Sequence, residues 1–319
     1  MDLISLELLS DSNIEDVRAI QRDDISEAFV DTVDTIMGLT QYGLDHNCKG
    51  HTYAIKRENE YIGLILLGEA FEWDTDPEEM KGVPFYRLMG FVIDKRYRSS
   101  GIGGYVLEKV IELIYDEFGI HPIALGVHKD NIGAERFYLN HGFQKTAVME
   151  GNDYYYLRYP PIQIEETLRL RRFDGNYDFA FEWYQDPQTV LLVDGKAEPY
   201  SHETLTNMYN YLNSKGELYF IEVNENGEWK PIGDVTFWQE DMPIVIGERE
   251  YRGKGIGKKV VSALVERGKA MGYDKLYVGE IYDFNICSQK CFESVGFRSY
   301  EKTEKGSRYV LNLKELKEL

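Results

Sequence analysis

Two short stretches of this chain carry residue types that can bind an anion without relying on side-chain charge. Arg98-Ser99-Ser100-Gly101-Ile102-Gly103 and Arg252-Gly253-Lys254-Gly255-Ile256-Gly257 share the pattern Arg-x-x-Gly-x-Gly. Such a turn opening a helix presents uncapped backbone N–H groups at the positive end of the helix dipole. Its glycines let a phosphate approach without a Cβ in the way. Each turn is followed by an asparagine, Asn131 or Asn285, and then by Gly142-Phe143 or Gly296-Phe297. Arg98 and Arg252, the two asparagines and the two Gly-Phe pairs are all separated by 154 positions. One fixed offset across all these landmarks implies a duplicated domain.

The commoner nucleotide patterns do not fit. Neither turn offers Gly-x-x-x-x-Gly-Lys-Ser/Thr, so a P-loop is excluded. A dinucleotide fingerprint would need glycine at positions 106 and 260, and both are valine. A strand must lead into each turn and a helix must leave it. Val106, Leu107, Val110, Ile111 and Ile114 repeat with helical spacing after the first turn, and Val260, Val261, Leu264 and Val265 after the second.

Around these helices the pattern in each half reads β, α, β, β, β, loop, α, β, α, β. The opening strands are Ile4 to Leu8 and Thr167 to Leu170. Hairpins follow at His51 to Lys56 with Tyr61 to Leu67, and at Leu218 to Val223 with Pro231 to Trp238. The fourth strands end near Ile93 and Gly247, and the fifth run over Ile123 to Val127 and Lys275 to Ile281. Pro160-Pro161 interrupts both helix and sheet bonding between the copies, so the domains are expected at 1–160 and 161–319. The fold class is a mixed α/β sheet in two tandem domains, and 319 residues suit that count.

In order and spacing, the glycine turn and the stretch Asn131-Ile132-Gly133-Ala134-Glu135-Arg136-Phe137-Tyr138 resemble the GCN5-related N-acetyltransferase (GNAT) superfamily. Asn285 through Phe292 repeats the second signature. The resemblance spans nearly the whole chain. It implies acetyl-coenzyme A as the cofactor, with its pyrophosphate on the amides of Arg98, Ser99, Ser100, Gly101, Ile102 and Gly103, and of Arg252, Gly253, Lys254, Gly255, Ile256 and Gly257. A bulged fourth strand near Ile93 would splay from the fifth and admit the pantetheine arm, which Asn131 and Asn285 would contact. A loop-capping role is the other reading of both asparagines. Tyr138 matches the family's tyrosine acid, which protonates the leaving thiolate. The second copy has Phe292 there and no proton to give.

The acceptor of an acetyl group must be an amine that has lost its proton, since an ammonium of pKa near 10.4 cannot attack. The first half looks like polyamine acetyltransferases, through Glu60-Tyr61-Ile62-Gly63 and Phe91-Val92-Ile93-Asp94. About 16 extra residues before its turn are rich in acid, and Glu72 and Asp74 are the expected substrate contacts. His128 is a further candidate base. The second half looks like aminoglycoside 6'-N-acetyltransferases, through Glu182-Trp183-Tyr184-Gln185-Asp186-Pro187. There Asp194, Asp234, Glu240 and Asp241 are candidates for an amine.

A net charge of −19 favours a small cationic partner and disfavours nucleic acid. No apolar run is long enough to span a bilayer. Three cysteines without paired spacing suggest a reducing cytoplasm. Cys287 and Cys291 are read as sharing an apolar helix face, not as metal ligands.

Overall fold

The computed structural model describes residues 3–26 and 28–315. The chain divides into two compact units, 1–160 and 161–319.

In the first unit a strand β1 (Ile4–Leu8) is followed by two helices, α1 (Ile14–Arg18) and α2 (Val33–Asp45). Next come β2 (Gly50–Arg57), β3 (Glu60–Glu69), β4 (Tyr86–Ile93), α3 (Ile102–Phe118) and β5 (Ile123–His128). The unit closes with α4 (Ile132–Leu139), β6 (Gln144–Glu150) and β7 (Asp153–Arg158). The seven strands form one sheet in the order β1-β2-β3-β4-β5-β7-β6. Alternation along β2 assigns its two faces: Tyr53 and Ile55 pack in the core shared with α3, while Ala54 packs with α1 and α2. Sequence periodicity anticipates one helix between β1 and β2 and one closing strand, whereas the fold has two of each. Helix α1 has only five residues, too few to set up a period.

The second unit contains β8 (Ile162–Glu165), β9 (Leu168–Arg172), a 3-10 stretch Asp178–Gln185, α5 (Pro187–Asp194) and α6 (His202–Lys215). Then follow β10 (Glu217–Glu225), β11 (Glu228–Phe237), β12 (Ile244–Ile246), α7 (Ile256–Ala270) and β13 (Lys275–Tyr282). It ends in α8 (Ile286–Glu293), β14 (Arg298–Lys302) and β15 (Gly306–Asn312). Here the sheet is divided into β12-β11-β10-β9-β8 and β13-β15-β14.

The duplication holds residue by residue in the helix after each turn. The buried positions of α3 are Ile102, Val106, Leu107, Val110, Ile111 and Ile114. Those of α7 are Ile256, Val260, Val261, Leu264, Val265 and Gly268, the same six positions at the same offset. An i, i+4 apolar stripe of this width covers one sheet face in both units.

Candidate active site

Three features of the first unit open a wedge in its sheet. Strands β4 and β5 run parallel but pair only at Tyr86 with Ile123 and Arg87 with Ala124, and beyond those residues they diverge. On the other edge of β4 the register jumps from Leu64–Val92 to Leu66–Met89, a bulge with Gly90 at φ +60°. A Cβ on Gly90 would lie 2.4 Å from the Ile36 side chain of α2, so both the backbone angle and the space require glycine. Backbone groups of β4 past Arg87 therefore face the wedge without a ladder partner on β5.

The glycine turn closes one end of the wedge. Ser99 at φ +59° and Gly101 at φ +80° curl the chain so that α3 starts with its free N–H groups directed outward. Arg98 supports the turn: its Nε donates to Ile93 O at 2.7 Å and its Nη1 to Asp24 at 2.5 Å. Its Nη2 is buried without a hydrogen-bond partner among the described residues. Ser100 Oγ donates to Tyr97 O, and Ile102 is buried under α3. The segment carrying Asp24 is tied down by the fully buried carboxylate of Asp94, which accepts from Gln21 N and from the Arg96 backbone and guanidinium. The Arg96 guanidinium, with help from the two backbone N–H groups, holds the Asp94 carboxyl well below the usual range.

Two cavities occupy the wedge and meet within it. The larger, about 680 Å³, runs from Ile93, Arg98, Ser99, Gly101 and Gly103 to Phe137, Asn131 and Tyr138. The smaller, about 370 Å³, is lined by Asp31, Trp73, Arg87, Glu150, Asp153 and Tyr155, and shares Phe29, Phe91, Asn131 and Tyr138 with the first. Tyr138 is only 9% exposed, lies edge-on to Phe143 at 5.3 Å, and its hydroxyl makes no hydrogen bond among the described residues. Burial pushes its phenol well above the ordinary tyrosine range, so it keeps its proton throughout neutral pH. Asn131 caps α4, its Oδ1 accepting from Ala134 N at 3.1 Å, and it also lines both cavities. The capping reading of that residue holds.

A long cavity ending on free helix amides, with a buried guanidinium nitrogen that lacks an acceptor, fits an extended ligand with an anionic end. Arg98, Ser99, Ser100, Gly101, Ile102 and Gly103 are the groups able to hold such an end.

The second unit repeats the turn but treats its side chains differently. Gly253 at φ +74° and Gly255 at φ +80° reproduce the backbone of Ser99 and Gly101, and Lys254, Ile256 and Gly257 complete the turn. Arg252, however, is fully engaged: Nε donates to Ile246 O, Nη1 to Asp186, and Nη2 to Thr189 Oγ1 and Gly247 O. Asn285 caps α8 through Ser288 N, while its Nδ2 donates to Leu192 O of α5 at 3.2 Å. Gly195, just past α5, packs on the Tyr282 ring so closely that a Cβ would stand 3.1 Å from it. Helix α5 thus lies across the end of β13 and holds the Arg252 guanidinium and the Asn285 side-chain amide. Phe292 sits edge-on to Phe297 at 5.3 Å, repeating the Tyr138–Phe143 packing without the hydroxyl.

The acetyltransferase (GNAT) family matches residues 14–143 and 177–297, well over half of the chain. The chain belongs to that family. An uncharacterised protein of Methanocaldococcus jannaschii is 29% identical over 192 residues, 57% of this chain and 38% of the relative. The spermine/spermidine N(1)-acetyltransferase of Bacillus subtilis is 28% identical over 95 residues, 30% of this chain and 60% of the relative. The chain therefore spans less than two thirds of the length of these curated relatives. Among solved structures, a domain from M. jannaschii is 27% identical with a TM-score of 0.41, covering 46% of this chain and 99% of that one. The PaiA N-acetyltransferase of Thermoplasma acidophilum in complex with coenzyme A is 16% identical with a TM-score of 0.38, covering 49% and 99%.

Within this GNAT chain several expected acceptor contacts lie elsewhere. Glu72 and Asp74 line neither cavity; both are exposed, and Glu72 accepts from Gly82 N. The acidic insert instead contributes Trp73 to the wall and the buried Asp76, which pairs with Arg87 at 2.8 Å beneath the Trp73 ring. His128 accepts from Asp130 N and lines neither cavity. In the second unit Asp234 lies in the core between two tyrosines, Asp194 accepts from Tyr200, and Asp241 accepts from Gly279 N. Cys287 is exposed and Cys291 half-buried beside Gly257, so they do not share one buried face. Sequence reasoning passed over Asp31, Glu150 and Asp153. The available signal was the tight turn Gly151-Asn152, which places acids on both of its flanks.

Proposed function

We propose that the first unit transfers an acetyl group from acetyl-coenzyme A to a primary amine of a small polycation of polyamine type. The observation that carries this reading is the meeting of two cavities at Tyr138, one ending on amides and Arg98, the other bordered by carboxylates. The partial likeness to a spermine/spermidine acetyltransferase supports the choice of acceptor.

Bound in the larger cavity, the coenzyme supplies an acetyl group activated as a thioester. The turn from Arg98 to Gly103 holds the diphosphate, with Arg98 Nη2 filling its missing hydrogen bond. Asn131 and the unpaired β4 amides near Ile93 hold the arm and polarise the carbonyl as pre-oriented donors. Tyr138 Oη, protonated at neutral pH, gives its proton to the departing sulfur. The Arg98 and Ile93 contacts fix the turn and the strand end together, so the two cavities keep their register.

The second unit has a different role in this proposal: a module that does not turn over. Phe292 offers no proton, and Arg252 and Asn285 are held by α5. Aminoglycoside acetylation by that unit is the competing reading, and one experiment separates the two. Thiol release by the full chain is measured with spermidine and with an aminoglycoside, before and after Tyr138→Phe. We expect the variant to lose at least about 100-fold in kcat with every acceptor, while calorimetry still finds one equivalent of acetyl-coenzyme A per chain. Turnover of aminoglycoside untouched by the substitution, or two equivalents bound, would assign chemistry or cofactor to the second unit.

A further inference from the structure

The smaller cavity of the first unit contains three carboxylates that no motif announced, and one of them is placed unlike the others. Asp153 opens β7 directly opposite His128 of β5, and its carboxylate lies over the bare backbone of Gly126. The Asp153 carboxylate and Gly126 both line the smaller cavity. Glu150 faces Asp153 across the two-residue turn, and its carboxylate accepts from Tyr155 OH at 3.1 Å. Asp31 reaches the same cavity from the segment before α2.

The other charged group of that cavity is already neutralised, because Arg87 is paired with Asp76 under Trp73. The cavity thus keeps an excess of negative charge. Tyr138, whose hydroxyl makes no hydrogen bond among the described residues, lines the same cavity. A hydroxyl donor without a partner among the described residues and the Asp153 carboxylate therefore border one 370 Å³ space.

On the reading given under Proposed function, we propose that Asp153 accepts the proton of the acceptor's ammonium, while Asp31 and Glu150 hold the rest of the polycation. The amine arrives as R–NH3+ and gives one proton to the Asp153 carboxylate, which passes it to solvent through the open side of the cavity. The nitrogen lone pair then forms the bond to the acetyl carbon as the carbon–sulfur bond breaks. Sulfur takes the Tyr138 proton, and the phenolate recovers one from the nitrogen. Two protons leave the nitrogen and one ends on sulfur, so one is released per turnover.

The surroundings of Asp153 suit a proton acceptor. Burial holds its carboxyl above the ordinary range; His128 opposes this, and Glu150 and Asp31 reinforce it. Those are the ionisable neighbours on β5, β6 and the segment before α2. A raised carboxyl is a stronger base than a surface aspartate and binds a proton from an ammonium less reluctantly.

The test is thiol release by the full chain with spermidine between pH 6.5 and 9.5, comparing wild type with Asp153→Asn, Asp153→Glu, Asp31→Asn and Glu150→Gln. We expect Asp153→Asn to lose about 100- to 1,000-fold in kcat/KM at pH 7. The deficit should shrink toward pH 9.5, where the substrate deprotonates unaided. Asp153→Glu should recover part of the loss. Asp31→Asn and Glu150→Gln should raise KM several-fold with kcat nearly unchanged. Binding of acetyl-coenzyme A, followed by calorimetry, should be the same in all variants, which separates a chemical defect from misfolding. An Asp153→Asn deficit under threefold, or one equally large at every pH, overturns the proposal for Asp153 alone. A wild-type chain that releases no thiol with any amine overturns the underlying acetyltransfer reading as well. Activity with a monoamine but not with spermidine, still dependent on Asp153, would remove the polycation and leave the proton acceptor standing.

Discussion

Asp234 offers a perturbation whose size can be worked out from its surroundings. It lies on β11, 3% exposed, and one carboxylate oxygen accepts from both Tyr184 OH and Tyr209 OH at 2.9 Å. Burial pushes its carboxyl up to about 6, and the two tyrosine hydrogen bonds only partly offset that. A rise from 3.8 to about 6 corresponds to about 3 kcal/mol, at 1.36 kcal/mol per unit. Because the folded pKa is the higher one, the folded state binds the extra proton. This stabilisation is complete well below the unfolded value of 3.8 and lost as the pH rises through about 6. Asp234→Asn removes the titration and keeps an acceptor for both hydroxyls. Its amide N–H groups need a partner, at about 1–3 kcal/mol if they find none.

The absolute change at one pH is therefore a balance, but the pH dependence is not. Relative to wild type, the variant should gain about 2.5 kcal/mol between pH 4 and pH 7.5. Urea unfolding followed by tryptophan fluorescence suits the measurement, since Trp183, Trp229 and Trp238 lie in the second unit and only Trp73 in the first. Subtracting the two curves cancels carboxylates common to both proteins, including the depressed Asp94 and Asp186. A relative gain below about 1 kcal/mol over that interval would refute the argument that Asp234 is desolvated in the folded chain.

Two further predictions concern the first unit. Gly90→Ala forces a side chain onto Ile36 and a positive φ onto alanine, at about 2–5 kcal/mol from overpacking and backbone strain. Calorimetric unfolding of the full chain should show the first unit's transition fall by several degrees with the second unchanged, and a shift under 1 °C would mean that the bulge tolerates a side chain. The double variant Glu72→Gln/Asp74→Asn should leave KM for spermidine within about twofold, because exposed charges outside the cavity are screened by solvent and salt. A tenfold rise would return the insert's acids to the acceptor site.

What the chain's order alone determined is local. The paired glycine turns, the six-position stripes of α3 and α7, and the caps at Asn131 and Asn285 depend on dihedral preferences and spacings within about twenty residues. Such features survive duplication and can be read twice. The wedge and its contents depend on register and approach between distant segments. Asp31, Arg87, Tyr138 and Asp153 come from four separate segments, and which face Arg87 and Asp153 take follows from strand pairing that spacing cannot supply. Identical turns also diverge for a tertiary reason. Arg252 and Asn285 have the same residue types and offsets as Arg98 and Asn131, yet α5 takes Arg252 Nη2 and Asn285 Nδ2, whereas Arg98 Nη2 has no partner among the described residues. A hydrogen-bonding group is available to a ligand only where the fold leaves it without a partner, and that is decided by what packs against it.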